Sequence, residues 1–372
     1  MKVLWFDSNL PYLLKDSSYP SGGAAVEVLA WISGFKENKI NIGILSWEGS
    51  QNYLRGINTD FELIESYKLN KGLPLLKHFY YRLPQLYKSL QSYRPDFVIQ
   101  ECAGIITGLL AICSKLLKIP FVYRIGNDME VDKRIKKRLS PLERILFYIG
   151  IYYASYINCQ NTYQYAVIKK RYPEKHVFIS YNPYKIRQIG NLSETREYIA
   201  WIGIFQKQKN LTALYDIVSH TPNIMYKIAG KPAESIDDNT KLAISNLKQC
   251  KNVEFVGFVP RDDILLFLSK AYALLNTSYY EGFSNTFLEA WISGTPVITT
   301  KNVNPDNIIE VNKLGYVAND YQNIIEFLKG RKFNDNYSTM CNNCIEYVTE
   351  NHDPQKLANL FIKNLEILLN ND

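Results

Sequence analysis

Long apolar runs are missing from this 372-residue chain. No window of about 18 or more residues is both apolar and uncharged, so a membrane-spanning helix is not expected. Met1-Lys2-Val3-Leu4-Trp5-Phe6 is cut short by Asp7. The start therefore reads as a first buried strand rather than a secretory leader. Cysteine is sparse, at Cys102, Cys113, Cys159, Cys250, Cys341 and Cys344, which excludes a disulfide framework in a chain of this length. Cys341-Asn342-Asn343-Cys344 has CxxC spacing, but no second pair accompanies it. It is expected to be two helix cysteines in a reducing compartment. Four histidines (His78, His176, His220, His352) form no ligand-spaced cluster, and there is no Asp-x-Asp motif. No metal and no cofactor are expected. Fibrous G-X-Y and extended heptad repeats are absent too.

What is present is an ordinary globular composition, 47% apolar and 21% charged, long enough for two domains. The net charge of +7 is unevenly placed. Residues 1–190 hold 26 Lys/Arg against 15 Asp/Glu, and residues 191–372 hold 17 against 21, so the first half is +11 and the second −4. Such asymmetry points to different partners for the two halves. Lys133, Arg134, Lys136, Lys137 and Arg138 precede a Tyr-rich apolar run, Ile145 to Ile157. Lys68, Lys71, Lys77, Arg82 and Lys88 mix with Phe79, Tyr80, Tyr81 and Tyr87. Cations beside aromatics suit an anionic membrane surface; the alternative is a solvated basic face. No nucleic-acid motif accompanies the charge, so nucleic acid is not expected as a partner.

Short apolar segments alternate with helical ones throughout. Strands are predicted at Lys2–Phe6, Ile42–Ser46, Pro95–Gln100, Phe121–Arg124, Tyr156–Gln160 and Val177–Tyr181, with helices at Ala24–Phe35, Leu75–Tyr93, Ile105–Leu117 and Leu142–Ala154. The second half repeats the style. Its strands are Tyr198–Gly203, Met225–Ala229, Val253–Phe255, Ala273–Asn276 and Pro296–Thr299. Its helices are Asn210–Ser219, Asp262–Ser269, Asn285–Ser293, Tyr321–Leu328 and Pro354–Leu369. Two βαβ series imply two doubly wound domains with a seam near Asn182–Glu197. Ligands would bind beyond the carboxyl ends of the strands. Leu357, Leu360, Phe361, Leu365 and Leu368 fall at helical spacing in the last helix and read as core.

The most informative segment is Ser278-Tyr279-Tyr280-Glu281-Gly282-Phe283-Ser284-Asn285-Thr286-Phe287-Leu288-Glu289-Ala290-Trp291-Ile292-Ser293-Gly294-Thr295-Pro296-Val297. It links a strand to a helix. Backbone N–H groups in such a turn and at the helix start favour phosphate or sugar oxygens. Glu281 can accept from sugar hydroxyls, and Glu289 from the vicinal hydroxyls of a ribose. Spacing alone leaves open that both are merely solvated.

Glu281-x7-Glu289 followed by Ala290, Gly294, Thr295, Pro296 and Val297 resembles the signature of the family-4 retaining glycosyltransferases, also called glycosyl transferases group 1. The resemblance covers nearly the whole chain. It implies an α/β protein of GT-B fold, with two doubly wound Rossmann-like domains facing across a cleft. Residues 1–190 would bind the acceptor, and a C-terminal helix at about 355–372 would pack back on them. Residues 191–354 would bind the nucleotide sugar. In the family the first Glu contacts the donor sugar and the second the nucleotide ribose. These roles fall on Glu281 and Glu289, with Gly282, Phe283, Ser284, Asn285 and Thr286 lining the sugar and diphosphate. Gly22 and Gly23 are similar to the family's Gly-Gly loop, where glycine lets the backbone approach the donor. Gly230 and the Gly257-Phe258 turn resemble loops at the nucleotide, and Gly203 lies in the loop that carries the phosphate-binding cations.

Two departures stand out. The family has Gly-Arg-Leu followed by Lys, but here Gly203 is followed by Ile204, and only Lys209 matches. Lys207 or Arg124 would have to replace the Arg that stabilises the leaving diphosphate. The family's His-Gly-x-Asp is represented only by Asp128, with Gly126 where the His is expected; Asn127 and Asp128 become candidates for sugar or acceptor contact. The expected activity is metal-independent, retaining transfer of a hexosyl group from a nucleotide-diphosphate sugar. The acceptor would be a glycan or polyprenyl-diphosphate-linked glycan for cell-surface polysaccharide, in the cytoplasm or at its membrane face. The alternatives are a non-catalytic GT-B scaffold and a nucleotide-sugar epimerase, the latter lacking visible elimination residues.

Overall fold

The computed structural model describes residues 1–16, 22–185, 195–330, 333 and 336–369. They form two compact units, Met1–Lys185 with His352–Asp372, and Ile186–Asn351. The predicted boundary at residue 190 lies outside the described residues, as do Pro20, Ser21 and the side chain of Leu368.

The first unit holds seven strands: β1 (Lys2–Phe6), β2 (Asn41–Ser46), β3 (Glu62–Glu65), β4 (Phe97–Glu101), β5 (Phe121–Arg124), β6 (Tyr156–Cys159) and β7 (His176–Ile179). They pair in the order β3-β2-β1-β4-β5-β6-β7, with every pair parallel. Parallel strands are buried on both faces, which is why these segments are near-continuous apolar runs. Leu4, Val98, Tyr123 and Ile157 pack to one side, with the helices Leu83–Tyr93, Ile105–Leu117 and Pro141–Tyr153. Trp5, Phe97, Val122 and Tyr156 pack to the other, with Gly22–Glu37 and Pro354–Leu369.

The second unit holds β8 (Tyr198–Ile202), β9 (Tyr226–Ala229), β10 (Val253–Gly257), β11 (Ala271–Leu275), β12 (Val297–Thr300) and β13 (Gly315–Ala318). Their order is β10-β9-β8-β11-β12-β13, again all parallel. Trp201, Ile228, Ala273, Leu275 and Ile298 lie in its core.

Three expectations need correction. The helix predicted from Leu75 starts at His78, with a π-helical turn to Arg82 before the α-helix Leu83–Tyr93. Leu75 sits in the left-handed region (φ 62°), which a continuing helix excludes. Pro84 lacks the N–H that would close the preceding α-turn, and a π-turn accommodates that loss. Leu360, read as core, is 54% exposed: the buried arc runs through Leu357, Ala358, Phe361, Ile362 and Leu365, and Leu360 falls outside it. Several elements escaped prediction, among them the edge strands β3 and β13 and the helices Thr162–Arg171, Asp238–Leu247 and Tyr337–Asn351. The last carries Cys341 and Cys344, both free thiols on a helix as expected.

The chain leaves the first unit after Lys185 and returns at His352, and the two passages are tied together. Tyr184 N–H donates to the His352 carbonyl at 2.8 Å, and His352 Nδ1 pairs with the Asn182 carbonyl at 2.7 Å. Burial pushes the His352 pKa down to about 4, the Asn182 hydrogen bond opposing. Unfolded histidine titrates near 6.5, so the unfolded state takes up the proton first as pH falls. This residue's contribution is therefore full above about pH 6.5 and is lost between there and about pH 4. We predict that wild type loses about 3 kcal/mol relative to His352→Gln between pH 7 and pH 4 in paired urea titrations. Parallel curves for the two proteins would refute this.

Candidate active site

In a parallel sheet all strand-following turns lie at one edge. In the second unit that edge gathers Gly203 after β8, Gly230 after β9, Phe258 after β10 and the segment 276–284 after β11. Two of these turns are pressed together. Gly203 N–H donates to the Ala229 carbonyl at 3.1 Å, and a Cβ on Gly230 would lie 1.9 Å from the Gly203 carbonyl oxygen. Gly230 also has φ 138°, so glycine is required there twice over. Phe258 is partly exposed with Lys231 Nζ 5.3 Å from its ring centre. We predict that Gly230→Ala costs about 2 kcal/mol or more, read as a lowered melting temperature, because both backbone and neighbour must shift. Wild-type stability in that variant would refute the packing described.

The turn after β8 is laced to the turn after β11. Lys209 Nζ lies 2.6 Å from Glu281 Oε1, with both side chains largely buried (15% and 12% exposed). Ser278 Oγ donates to the same oxygen at 2.7 Å, and Gln208 Nε2 donates to Glu281 Oε2 at 3.3 Å and to the Tyr280 carbonyl at 2.9 Å. Tyr279 N–H donates to the Gln208 carbonyl, and Thr277 Oγ1 to that of Lys209. Trp201 Nε1 and Tyr321 OH brace Thr277 from below. Gln208, Ser278, Thr277 and Tyr321 were missed in the sequence, where nothing in their spacing marks them. Lys207 is exposed on the short turn Lys207–Lys209, and Ile204 is half-buried.

The helix Asn285–Ile292 follows at once. Its cap, Ser284, is buried and makes no side-chain bond to the backbone; its hydroxyl pairs with that of Thr286 at 2.8 Å. Gly282 and Phe283 are buried, and Asn285, Thr286 and Glu289 are half-buried. Asn285 and Glu289 are four apart and share a helix face. The edge thus holds a fixed carboxylate, a fixed cation and a helix N-terminus, a combination suited to sugar hydroxyls and a diphosphate.

The first unit is different. Gly22 and Gly23 open the helix Gly22–Glu37. Asn127 Oδ1 accepts from Met129 N–H, capping a short turn, and Asp128 accepts from Asn161 Nδ2 (2.9 Å) and Gln164 Nε2 (2.8 Å). Burial raises the Asp128 pKa, those two bonds opposing. Arg124, considered as a replacement cation, is fully buried. It ion-pairs with Glu27 at 2.6 Å and donates to Asn158, to Ser180 and, at 2.8 Å, to Asn182. Its charge is consumed inside the unit, so it is no phosphate ligand. Around it gather carboxyls the sequence did not single out. Asp7 is pushed up to about 6 by burial, against bonds from the Leu10 and Asn9 amides. Glu101 is held well above the carboxylate range by burial and then by Glu27, with Arg124 opposing. Burial also raises Glu130, which accepts from Tyr123 OH at 2.6 Å. Gly126 faces this group: a Cβ there would meet Glu101 Oε1 at 3.1 Å, so a larger residue would displace Glu101. We predict that Glu27→Gln leaves Arg124 under-compensated and lowers stability by about 3 kcal/mol, measured by denaturant unfolding. A change under about 1 kcal/mol would show that the pair is not the brace described.

Among the described residues no group of three His, Cys, Asp or Glu side chains is placed to hold a metal, and no helix is long and apolar enough to cross a membrane.

Comparison with known proteins completes the picture. The family model "Glycosyl transferases group 1" matches residues 184–365. The lipopolysaccharide core biosynthesis glycosyltransferase LpsE of Rhizobium meliloti is 29% identical over 104 residues, 28% of this chain and 29% of that protein. Spore coat protein SA of Bacillus subtilis is 26% identical over 137 residues, 34% of this chain and 36% of that protein. The matched segment thus spans about a third of these relatives' length. Among solved structures, Anabaena Alr3699/HepE in complex with UDP superposes with a TM-score of 0.76 at 16% identity, covering 98% of this chain and all of that one.

Proposed function

Because the chain belongs to the glycosyl transferases group 1 family through residues 184–365 and has the GT-B fold, we propose that it moves a hexosyl group from a nucleotide-diphosphate sugar to an acceptor hydroxyl with retention. The observation that carries this reading is the Lys209–Glu281 pair, held at the carboxyl edge of the second sheet beside the start of the helix Asn285–Ile292. In the donor complex Glu281 accepts from the sugar's hydroxyls and Lys209 turns its charge to the diphosphate. Glu289 accepts from the ribose, and the amides of Gly282, Phe283 and Ser284 follow the sugar and phosphates. Within the second unit Gly203 and Gly230 leave room for the donor's phosphates, and Phe258 lies at its base. Lys207, exposed on the turn Lys207–Lys209, is the cation that takes the place of the family's Arg at the phosphates, and the buried, ion-paired Arg124 is not.

The reaction breaks the bond from the sugar's anomeric carbon to the phosphate oxygen as the acceptor oxygen bonds on the same face. The departing phosphate oxygen takes the acceptor's proton, so no metal and no second catalytic carboxylate are called for. The protein supplies position and charge stabilisation. A UDP sugar is the first donor to try, since UDP occupies the Alr3699/HepE structure. An acceptor in cell-surface polysaccharide, carried on a polyprenyl diphosphate at the cytoplasmic membrane face, fits the +11 charge of residues 1–190 and the lipopolysaccharide role of LpsE. Asn127 and Asp128 stand at the acceptor's side in this reading.

The test is thermal shift against UDP, GDP and ADP sugars, followed by donor hydrolysis. One nucleotide class should raise the melting temperature, with about 2.7 kcal/mol of added stability at 100 times its Kd. Glu289→Ala should abolish the shift. Lys209→Met should lower turnover about 100-fold or more, because transition-state charge loses its partner. A folded wild type that no sugar nucleotide stabilises would sink the reading and favour a scaffold.

A further inference from the structure

One segment of the first unit spends its apolar side chains on solvent. Residues 70–76 are all exposed. Leu73, Leu75 and Leu76 are 63%, 64% and 59% exposed, followed by Phe79 at 45% and Tyr80 at 56%. Scattered exposed leucines need no explanation, but five large apolar residues within eight positions do.

The segment is built rather than slack. Leu73 N–H donates to Tyr80 OH at 2.8 Å, Lys77 N–H to the Leu73 carbonyl at 2.9 Å, and Tyr80 N–H to the Leu76 carbonyl at 3.3 Å. Gly72, at φ 99°, lets the backbone pass Lys77 and Tyr80, where a Cβ would lie 2.7 Å from each. Leu75 itself adopts φ 62°, a conformation a γ-branched residue rarely takes. Below, Leu69, Tyr81 and Leu83 pack on the core, and Arg82 donates to the Leu69 carbonyl. A strained, hydrogen-bonded turn on an anchored base holds three leucines outward.

Within the knob's own segment the charge is of one sign. Residues 66–82 contain Lys68, Lys71, Lys77 and Arg82 and no Asp or Glu. Burial and the neighbouring cations Arg82 and Lys77 keep His78 below its ordinary pKa, with Glu143 the opposing charge. Glu143 lies in the first turn of the helix Pro141–Tyr153, which follows a second basic segment. That segment, 133–138, adds Lys133, Arg134, Lys136, Lys137 and Arg138, again without an acid. The exposed Ile145 and Tyr152 continue along one face of the same helix. Both segments follow strands β3 and β5, so they stand at the carboxyl edge of the first sheet.

We propose that the Leu73–Tyr80 turn inserts into the headgroup region of an anionic bilayer, with Lys71, Lys77, Lys133, Lys136 and Lys137 seated on the lipid phosphates. Apolar side chains that enter the interface and cations that meet anionic lipid are the two signals stable peripheral attachment requires. The inference deepens the reading of a membrane-held acceptor and rests on it for its purpose: it brings the carboxyl edge of the first sheet to the lipid surface.

The test is co-sedimentation of the full chain with phosphatidylglycerol/phosphatidylcholine vesicles and with phosphatidylcholine alone. Wild type should bind the anionic vesicles and release with salt. Leu73→Ser, Leu75→Asn and Leu76→Ser combined should lower partitioning about tenfold or more, and Asn suits the left-handed position. Lys71→Gln, Lys77→Gln, Lys136→Gln and Lys137→Gln combined should weaken anionic binding and erase its salt dependence. Circular dichroism melting checks that both variants fold. Failure of wild type to bind, or equal binding by the leucine variant, overturns the proposal. So does light scattering that shows these leucines joining two copies while vesicle binding is unchanged. The assay contains no donor, so a failed thermal shift against sugar nucleotides removes the transferase reading and leaves this result standing.

Discussion

Parallel pairing is the constraint on which the rest of this structure depends. Every strand pair in both sheets is parallel. Each strand must therefore be re-entered from the same end, and the connection has to cross a face of the sheet. That buries both faces, and every residue of strands such as Phe97–Glu101 and Tyr156–Cys159 is buried. It also collects every strand-following turn at one edge. The chemistry-bearing residues of the second unit are far apart in sequence, from Gly203 to Glu289, and topology alone puts their turns side by side.

The two units use that edge in opposite ways. In the first, Arg124 ends β5 and its guanidinium is spent on Glu27, Asn158, Ser180 and Asn182. A buried arginine so fully bonded is a brace, and removing its partner leaves a charge that nothing else solvates. In the second, Lys209 is tied to one carboxylate oxygen and retains some exposure. A flexible ammonium with one strong partner can exchange it for a phosphate at modest cost, whereas a guanidinium with four partners cannot. Sequence position puts Arg124 at the end of β5 and Lys209 in the turn after β8; the packing of neighbours separates a structural charge from an available one.

This is also where sequence reading reached its limit. Central elements were legible because apolar periodicity records burial directly: Lys2–Phe6, Ile105–Leu117, Phe121–Arg124 and Pro354–Leu369 have the bounds expected of them. Edge strands β3 and β13 bury little and carry Glu62, Glu65 or Gly315, so their pattern is faint. The helix Asp238–Leu247 reads as polar, and its clearest signal was the Asp237 cap that bonds Thr240. Leu75–His78 misled because helical propensity cannot see a left-handed residue. In the site, Glu281 and Lys209 were marked by motif spacing. Gln208 and Tyr321 were not, since they act through contacts across 44 to 73 residues of chain that no local pattern encodes, and Ser278, although only three residues before Glu281, has no spacing that marks its bond.

Ile204 can be reconsidered in this light. A half-buried aliphatic residue there removes one cation from the turn after β8, yet the turn keeps its place through other means. Gln208 spans to the Tyr280 carbonyl and to Glu281, and the Tyr279 amide closes back on Gln208. These bonds are neutral or singly charge-assisted, and together they position Lys209 without a second positive charge beside it. Lys209 rests against the Glu281 carboxylate while the other cation of its turn, Lys207, is exposed to solvent. Under the proposed function the cost of the missing cation would fall on the donor-bound state, where a diphosphate would face Lys209 and, at most, a solvent-exposed Lys207 whose charge is screened. Affinity for the donor should then depend more steeply on the helix N-terminus at Asn285 and on Glu289 than on cations. Backbone dipoles are fixed by the fold and need no side chain to be ordered, and in the proposed reading that would place the burden of phosphate recognition on the helix that follows β11.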